Sequence, residues 1–272
     1  MNISRHARQW MLAPCFAVLA CVGAPAHAQQ KPYEPVVGQE GRDVVWVPTP
    51  HVTVEKMLDV AQVSPQDFVI DLGSGDGRNI IAAAKRGARA LGVEFNADMV
   101  EYSRRIAAKE SVADKAQFVQ GDMYEADISQ ATVLALFLLP ENLDKLAPKF
   151  LALKPGTRIV ANQFWIDGWN ADETLRADGD CGSWCTVLLI IVPAVVAGTW
   201  RMPAGELALE QRFQAVSGSL SVDGKSTPVT NGRLRGDRIS FTAGGTTYSG
   251  RVSGDSMRGD AGSWTATRLP AR

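Results

Sequence analysis

From residue 53 onward the chain alternates between two hydrophobic periods. Thr53 to Ala61 carries apolar residues at Val54, Met57, Leu58 and Ala61, the period of an amphipathic helix, and Pro48-Thr49-Pro50 ahead of it marks a helix start. Phe68-Val69-Ile70 is a short apolar run ending at Asp71, followed by a helical stretch over 79–86. The alternation repeats. Ala90-Leu91-Gly92-Val93 ends at Glu94, Asn96 stands where the N-cap of a helix over 97–109 belongs, and Phe118-Val119 leads to Gly121-Asp122. Residues 133–137 and 158–165 read as buried strands on either side of a helix over 141–153. A further apolar run, 186–192, is too short to cross a membrane and is followed by Pro193. Strands separated by helices predict an α/β domain over residues 46–197: a doubly wound parallel sheet with helices on both faces.

Helical periodicity disappears near Gly198. Beyond it Gly, Ser and Thr dominate, and short alternating segments such as Arg238-Ile239-Ser240-Phe241 are punctuated by Asp223-Gly224, Asn231-Gly232 and Gly244-Gly245, which read as tight turns. Residues 198–272 are therefore expected to form a small antiparallel β domain, either a sheet or a partial barrel. Residues 29–45, polar and broken by Pro32, Pro35 and Gly38, read as a linker or arm.

The first 28 residues have a different logic. Arg5 and Arg8 give a positive start, residues 11–22 are mostly apolar, and Ala26-His27-Ala28 is a small-residue cleavage pattern. This is the layout of a Sec-type signal peptide, and it predicts a periplasmic or secreted protein. An uncleaved anchor, or lipidation through Val18-Leu19-Ala20-Cys21, is the alternative reading. No stable membrane span is expected in the chain beyond it. Of the four cysteines, Cys181 and Cys185 lie outside this segment, in a loop-like context where they are either a local disulfide or two free thiols. No metal is expected, because two sulfurs and His51 do not complete a tetrahedral site. With a net charge of −1 and no basic stripe, the chain offers no electrostatic case for a nucleic-acid partner.

The chemistry concentrates in Val69-Ile70-Asp71-Leu72-Gly73-Ser74-Gly75-Asp76-Gly77. A glycine-rich turn between strand and helix lets backbone N–H groups approach a ligand closely. A phosphate-binding loop needs Gly-Lys-Ser/Thr, but Gly77 is followed by Arg78-Asn79. A dinucleotide fingerprint needs its third glycine where Arg78 stands. What remains is an acid followed by Gly-x-Gly-x-Gly, with Asp76 inside the turn, where it would repel a pyrophosphate and suit a cationic group.

In these residues the chain resembles the class I, seven-strand methyltransferases that use S-adenosylmethionine (SAM), over roughly residues 45–195. The resemblance implies a Rossmann-like sheet and SAM as cofactor. It also implies that Glu94, at the end of the second strand, binds the ribose hydroxyls, and that Asp122 and Met123, after the third, contact adenine. Asp71, Gly73, Ser74, Gly75, Asp76 and Gly77 would hold the rest. A carboxylate can accept from two vicinal hydroxyls, which agrees with the role given to Glu94.

Val47-Pro48-Thr49-Pro50, the glycine motif through Arg78, and Leu138-Leu139-Pro140-Glu141-Asn142 together resemble a narrower family. This is the lysine methyltransferase family that includes the enzyme acting on the c-ring protein of mitochondrial ATP synthase, and many bacterial relatives. The resemblance implies methylation of a lysine amine on a protein substrate, and by the same match Thr49 lines the cofactor site. The fourth-strand segment lacks the Asn/Asp-Pro-Pro-aromatic motif that holds a planar amide or amine. Its apolar Leu138-Leu139 suits a lysine stem, and Glu141 is the candidate to orient the amine, or else simply a favourable acid at a helix N-terminus. Asn162-Gln163 departs from the His-Asp pair expected nearby, which puts the substrate's identity in question.

Phe164-Trp165-Ile166-Asp167-Gly168-Trp169 is either a substrate-side cluster or a packing corner. Gly198-Thr199-Trp200 with Arg268 resembles the Gly-x-Trp and terminal Arg of lipocalin-like barrels, which implies that the Arg stacks on the Trp. Two rival functions stand beside the lysine enzyme: an exported binding module that kept the fold without catalysis, and a small-molecule methyltransferase. Export and a SAM site pull in opposite directions, because SAM is made in the cytosol.

Overall fold

A computed structural model describes Met1, residues 32–43 and residues 45–270; the expected signal segment lies outside the described residues. Tyr33–Arg272 forms one compact unit.

The sheet is built on strands whose residues are nearly all apolar and buried. β1 (Phe68–Leu72) and β4 (Val133–Leu136) lie at its centre, with Val69, Leu72, Val133 and Leu134 at 0% exposure, as expected of strands covered on both faces. β2 (Arg89–Glu94), β3 (Ala116–Gln120) and β5 (Arg158–Asn162) extend it in parallel, β1 pairing with β2 and β4, β2 with β3, and β4 with β5. β6 (Glu173–Arg176) and β7 (Thr186–Ile191) close the order β3-β2-β1-β4-β5-β7-β6, with β7 antiparallel to both β5 and β6. Helices α1 (His51–Val60), α2 (Arg78–Lys85) and α3 (Ala97–Lys109) bury Met57, Leu58, Ile80, Ala83 and Val100 on one face. On the other face, α4 (Pro140–Leu151) buries Leu143, Leu146 and Phe150.

The doubly wound α/β reading holds, as does the cap at Asn96, whose Oδ1 accepts from Asp98 N at 2.9 Å and Met99 N at 3.3 Å. Two details differ. β5 ends at Asn162 rather than 165, because Gln163 turns into the left-handed region at φ 66°. β6 has no apolar pattern to announce it; it is an edge strand, largely exposed.

Beyond β7 the chain enters the second structure as a closed antiparallel barrel rather than a partial one. β8 (Gly198–Met202), β9 (Gly205–Arg212), β10 (Ala215–Val222), β11 (Lys225–Arg235), β12 (Arg238–Ala243), β13 (Thr246–Ser253), β14 (Ser256–Gly259) and β15 (Thr265–Arg268) pair in chain order, and β15 pairs back to β8. Side chains fill the interior, Trp200, Leu207, Leu234, Phe241 and Met257 among them. Asp223-Gly224 and Gly244-Gly245 are tight turns with both φ values positive. Asn231-Gly232 is not a turn: it lies inside β11, where the register shifts, and a Cβ at Gly232 would sit 2.1 Å from the Val216 carbonyl. The guanidinium of Arg268 stacks on Trp200, 4.2 Å from the ring centre, and donates to the carbonyls of Ala197 and Val195.

Two barrel corners dock on the sheet. Phe213 stacks on Trp169 with ring centres 4.9 Å apart, and Gln214 Nε2 donates to the Asn170 carbonyl. Nearby, the Asp172 side chain, only 2% exposed, accepts from Ile191 N at 2.8 Å and pairs with Arg233 at 3.0 Å. Asp172→Ala strands a buried N–H and uncouples Arg233. Urea unfolding should show a loss of about 1–3 kcal/mol; a loss below about 0.5 kcal/mol would mean that this carboxylate does not hold the corner together.

Candidate active site

Three glycines shape the turn after β1. Gly73, Gly75 and Gly77 all have positive φ (72°, 54° and 79°), and two of them also lack room for a side chain. A Cβ at Gly75 would lie 2.5 Å from Trp46 Nε1, and one at Gly77 would lie 2.6 Å from the Phe118 ring. Carbonyl and carboxylate acceptors hold the turn. Gly73 N and Ser74 N both donate to the Val93 carbonyl, at 2.8 and 3.0 Å. Glu94 Oε2 accepts from Gly75 N and Oε1 from Asn96 N, each at 2.9 Å. Each Glu94 oxygen keeps a further lone pair for a ligand hydroxyl.

The turn opens onto a cavity of about 460 Å³ at the carboxyl ends of the parallel strands. Of the residues singled out from sequence, Thr49, Asp71, Gly73, Asp76, Glu94, Asp122 and Met123 line it. Ser74, Gly75 and Gly77 do not; they form the turn behind the wall. Glu141 is exposed in the first turn of α4 and outside the lining, a position that agrees with the second of its two readings, an acid at a helix N-terminus. Its neighbour Asn142 is the one that lines the cavity.

Two carboxylates of the site are set apart by their surroundings. Asp71 is buried, and burial raises its pKa well above the ordinary carboxylate range. The Asn79 amide, donating at 3.0 Å, opposes that shift, and the negative charges of Glu94 and Asp76 add to it. No cation answers Asp71 within the protein among the described residues, so the site suits a ligand that brings one. Asp122 is held below its ordinary range, first by the backbone N–H of Tyr124 and then by Arg42 at 2.5 Å. Asp76 is chelated by its neighbour Arg78, whose other nitrogen donates to the Thr49 carbonyl at 2.6 Å.

Sequence reasoning missed one wall. Residues 39–43 and 45–48, largely read as a linker, line the cavity: Arg42 reaches Asp122 and lies 4.5 Å from the Phe95 ring centre, and Trp46 covers Gly75. Their polar composition hid this, and Trp46, an isolated large aromatic beside Pro48-Thr49-Pro50, was the available signal. The aromatic cluster after β5 divides. Phe164 lines the cavity, whereas Trp165 and Trp169 pack on Phe150 and Phe213 as a corner beneath the barrel. Cys181 and Cys185 form a disulfide.

Comparison with known proteins bears on this site directly. The sequence pattern of a family described as the ANTKMT methyltransferase domain matches residues 71–173, ending before the barrel. A protein-lysine N-methyltransferase of Saccharolobus islandicus is 43% identical over 153 residues, covering 55% of this chain and 94% of the relative. The adenine nucleotide translocase lysine N-methyltransferase of Mus musculus is 32% identical over 118 residues, and the match spans 51% of its length and 43% of this chain. A crystal structure titled an RNA methyltransferase from Salinibacter ruber, in complex with S-adenosyl-L-homocysteine (SAH), aligns with a TM-score of 0.52 at 43% identity. The alignment covers 55% of this chain and 96% of that one.

Because burial raises the Asp71 pKa, the protonated carboxyl is the form favoured by the ligand-free fold. Its contribution to stability is present at low pH and is lost as pH rises through that raised value. Asp71→Asn removes the dependence. In thermal melts from about pH 4 to about pH 8, the variant should gain on the parent as pH rises; a constant offset would show that Asp71 does not titrate in this way.

Proposed function

Because the chain belongs to the ANTKMT methyltransferase-domain family, whose cofactor is SAM, we propose that it transfers the SAM methyl group to the ε-amine of a protein lysine. The observation that carries this reading is the placement of Asp71, Glu94 and Asp122 around one cavity, each at the end of a successive strand.

When bound, SAM supplies a methyl group on an already activated sulfonium. Asp71 and the Gly73–Gly77 turn receive the cationic amino-acid end, and Asp71 then works as a carboxylate because the incoming ammonium offsets its burial. Glu94 accepts the ribose hydroxyls while its backbone tethers keep it still. Asp122 and Met123 meet the base, and Thr49 contributes to the same lining. The acceptor amine needs alignment and the loss of its ammonium proton, and positioning supplies much of the rate. Phe137 and Leu138 directly after β4 and Phe164 after β5 line the cavity on the far side of β1 from Glu94 and Asp122, which supports entry of the acceptor from that end. The apolar character of that end supports an aliphatic lysine stem.

The reading extends to location. The Sec-type pattern of the first 28 residues and the Cys181–Cys185 disulfide together support an oxidising compartment outside the cytosol. Fractionation of the expressed chain should recover it in the periplasm or medium with its N-terminus at Gln29. Recovery of an intact N-terminus in the cytosol would overturn this part of the proposal.

The activity is tested by calorimetric titration of the protein with SAM and SAH. Asp71→Ala and Glu94→Ala should each weaken SAM binding by at least about tenfold, a loss of about 1.4 kcal/mol or more, while the circular dichroism of the fold is retained. Transfer of labelled methyl from SAM into envelope extracts, followed by mass spectrometry, should then find methyl-lysine. Label recovered in RNA would replace lysine as the acceptor, and SAM binding unaffected by either variant would remove the proposed site.

A further inference from the structure

The acceptor end of the cavity has a feature that neither the glycine motif nor the acids explain. Phe137 follows β4, Phe164 follows β5, and Trp184 closely precedes β7, so the sheet order brings three rings from distant parts of the chain to one edge. All three line the cavity and are partly exposed. Phe137 and Phe164 are near-parallel, 14° apart with centroids at 6.3 Å. The Trp184 indole meets both edgewise, at 5.2 and 6.1 Å. The acids of the site stand at the ends of β1, β2 and β3, away from this corner.

Trp184 does not owe its position to full burial, because part of it stays open to solvent. Its backbone is fixed instead. The Trp184 carbonyl accepts from Thr53 Oγ1 on α1 and from Asn162 Nδ2 at the end of β5, both at 2.9 Å. Thr53 and Asn162 are themselves fully buried. Its N–H donates to the Cys181 carbonyl at 2.9 Å, inside the loop that the Cys181–Cys185 disulfide closes. A short loop with a disulfide at its neck and two buried side chains on its carbonyl leaves the indole few alternatives.

Building on the lysine reading above, we infer that Phe137, Phe164 and Trp184 form an aromatic cage that selects a cationic ammonium head on an aliphatic stem, and that the Cys181–Cys185 disulfide is its clasp. Ring faces attract a cation through their quadrupole, and they do so most strongly where water is partly excluded. The same rings cover the methylenes of the stem. A neutral group of equal shape gains only the second effect. Cys181, Cys185, Thr53 and Asn162 are positioning residues in this scheme; Trp184 is the residue that touches the acceptor.

The test uses the full chain saturated with SAH and two small probes, measured by calorimetry or ligand-observed NMR. One is Nα-acetyl-Nε-trimethyllysine amide; the other is its neutral isostere, in which carbon replaces the quaternary nitrogen. The parent should bind the cationic probe about five- to tenfold more tightly than the neutral one. Trp184→Ala should abolish that preference, Trp184→Phe should retain most of it, and Cys181→Ser/Cys185→Ser should reduce it with SAH still bound. A merely structural role for the clasp would weaken both probes alike and leave their ratio intact. Equal binding of the two probes, binding of neither, or an undiminished preference in Trp184→Ala overturns the cage while the cofactor site stands. Failure of the parent to bind SAH overturns the methyltransferase reading itself, and the cage with it.

Discussion

One carboxylate ties the cofactor cavity together. Glu94 ends β2 and accepts from the glycine turn of β1 with one oxygen and from the cap of α3 with the other, so two strands and two loops share a single acidic group. Without it, Gly75 N would lose its partner, and three positive-φ glycines in one turn would have little to choose between alternative shapes. The tie also sets the electrostatics. With Asp71 buried beside Asp76 and Glu94, the turn concentrates negative charge that its own residues only partly answer, Arg78 being engaged with Asp76. The empty site therefore favours the protonated Asp71, and a cationic amino group that enters favours its ionised form, which is how the turn couples ligand binding to that carboxyl.

The barrel solves a different problem. β6 and β7 form the antiparallel edge of the sheet, and the ridge of Trp165 and Trp169 beside them would otherwise expose a large apolar face. Phe213 and Gln214 from one barrel corner, and Gly236 with Arg233 and Arg235 from another, cover it and satisfy Asp172. The barrel has its own filled core, an end closed by Arg268 on Trp200, and a contact with the sheet at Gly156 and Ile191. Gly236 and the Asp172–Arg233 pair meet the sheet there, at the end of β5 and β7 opposite the one from which Phe164 and Trp184 emerge.

How much of this could be read from the chain depended on whether a feature is local. The alternating strands and helices, the Asn96 cap and the glycine motif are each contiguous, and each appears where its pattern places it. The three acids were legible because each ends its own strand, so strand order alone carries them to one cavity. Which of two adjacent residues meets the cavity was not legible at the start of α4: helical geometry turns successive residues by about 100°, so Asn142 faces inward and Glu141 outward. Asn231-Gly232 failed because an Asn-Gly pair serves a bulge as well as it serves a hairpin turn. β6 and the wall formed by Arg42 and Trp46 owe their positions to contacts with distant partners, and their own composition is that of a loop.

The aromatic corner is the extreme case of that rule. Phe137, Phe164 and Trp184 come from three separate segments of the chain, and no single segment reads as a binding motif. Their meeting depends on β7 inserting antiparallel beside β5, which reverses its direction and puts the residues before β7 level with the residues after β5. A parallel β7 would have carried Trp184 to the opposite edge of the sheet. The disulfide loop then does what a longer, uncrosslinked connection could not, holding a partly exposed indole at a fixed angle where packing alone is insufficient. The cavity thus combines two kinds of construction: a cofactor end written in a contiguous motif and held by backbone hydrogen bonds, and an acceptor end assembled by topology and held by a covalent clasp.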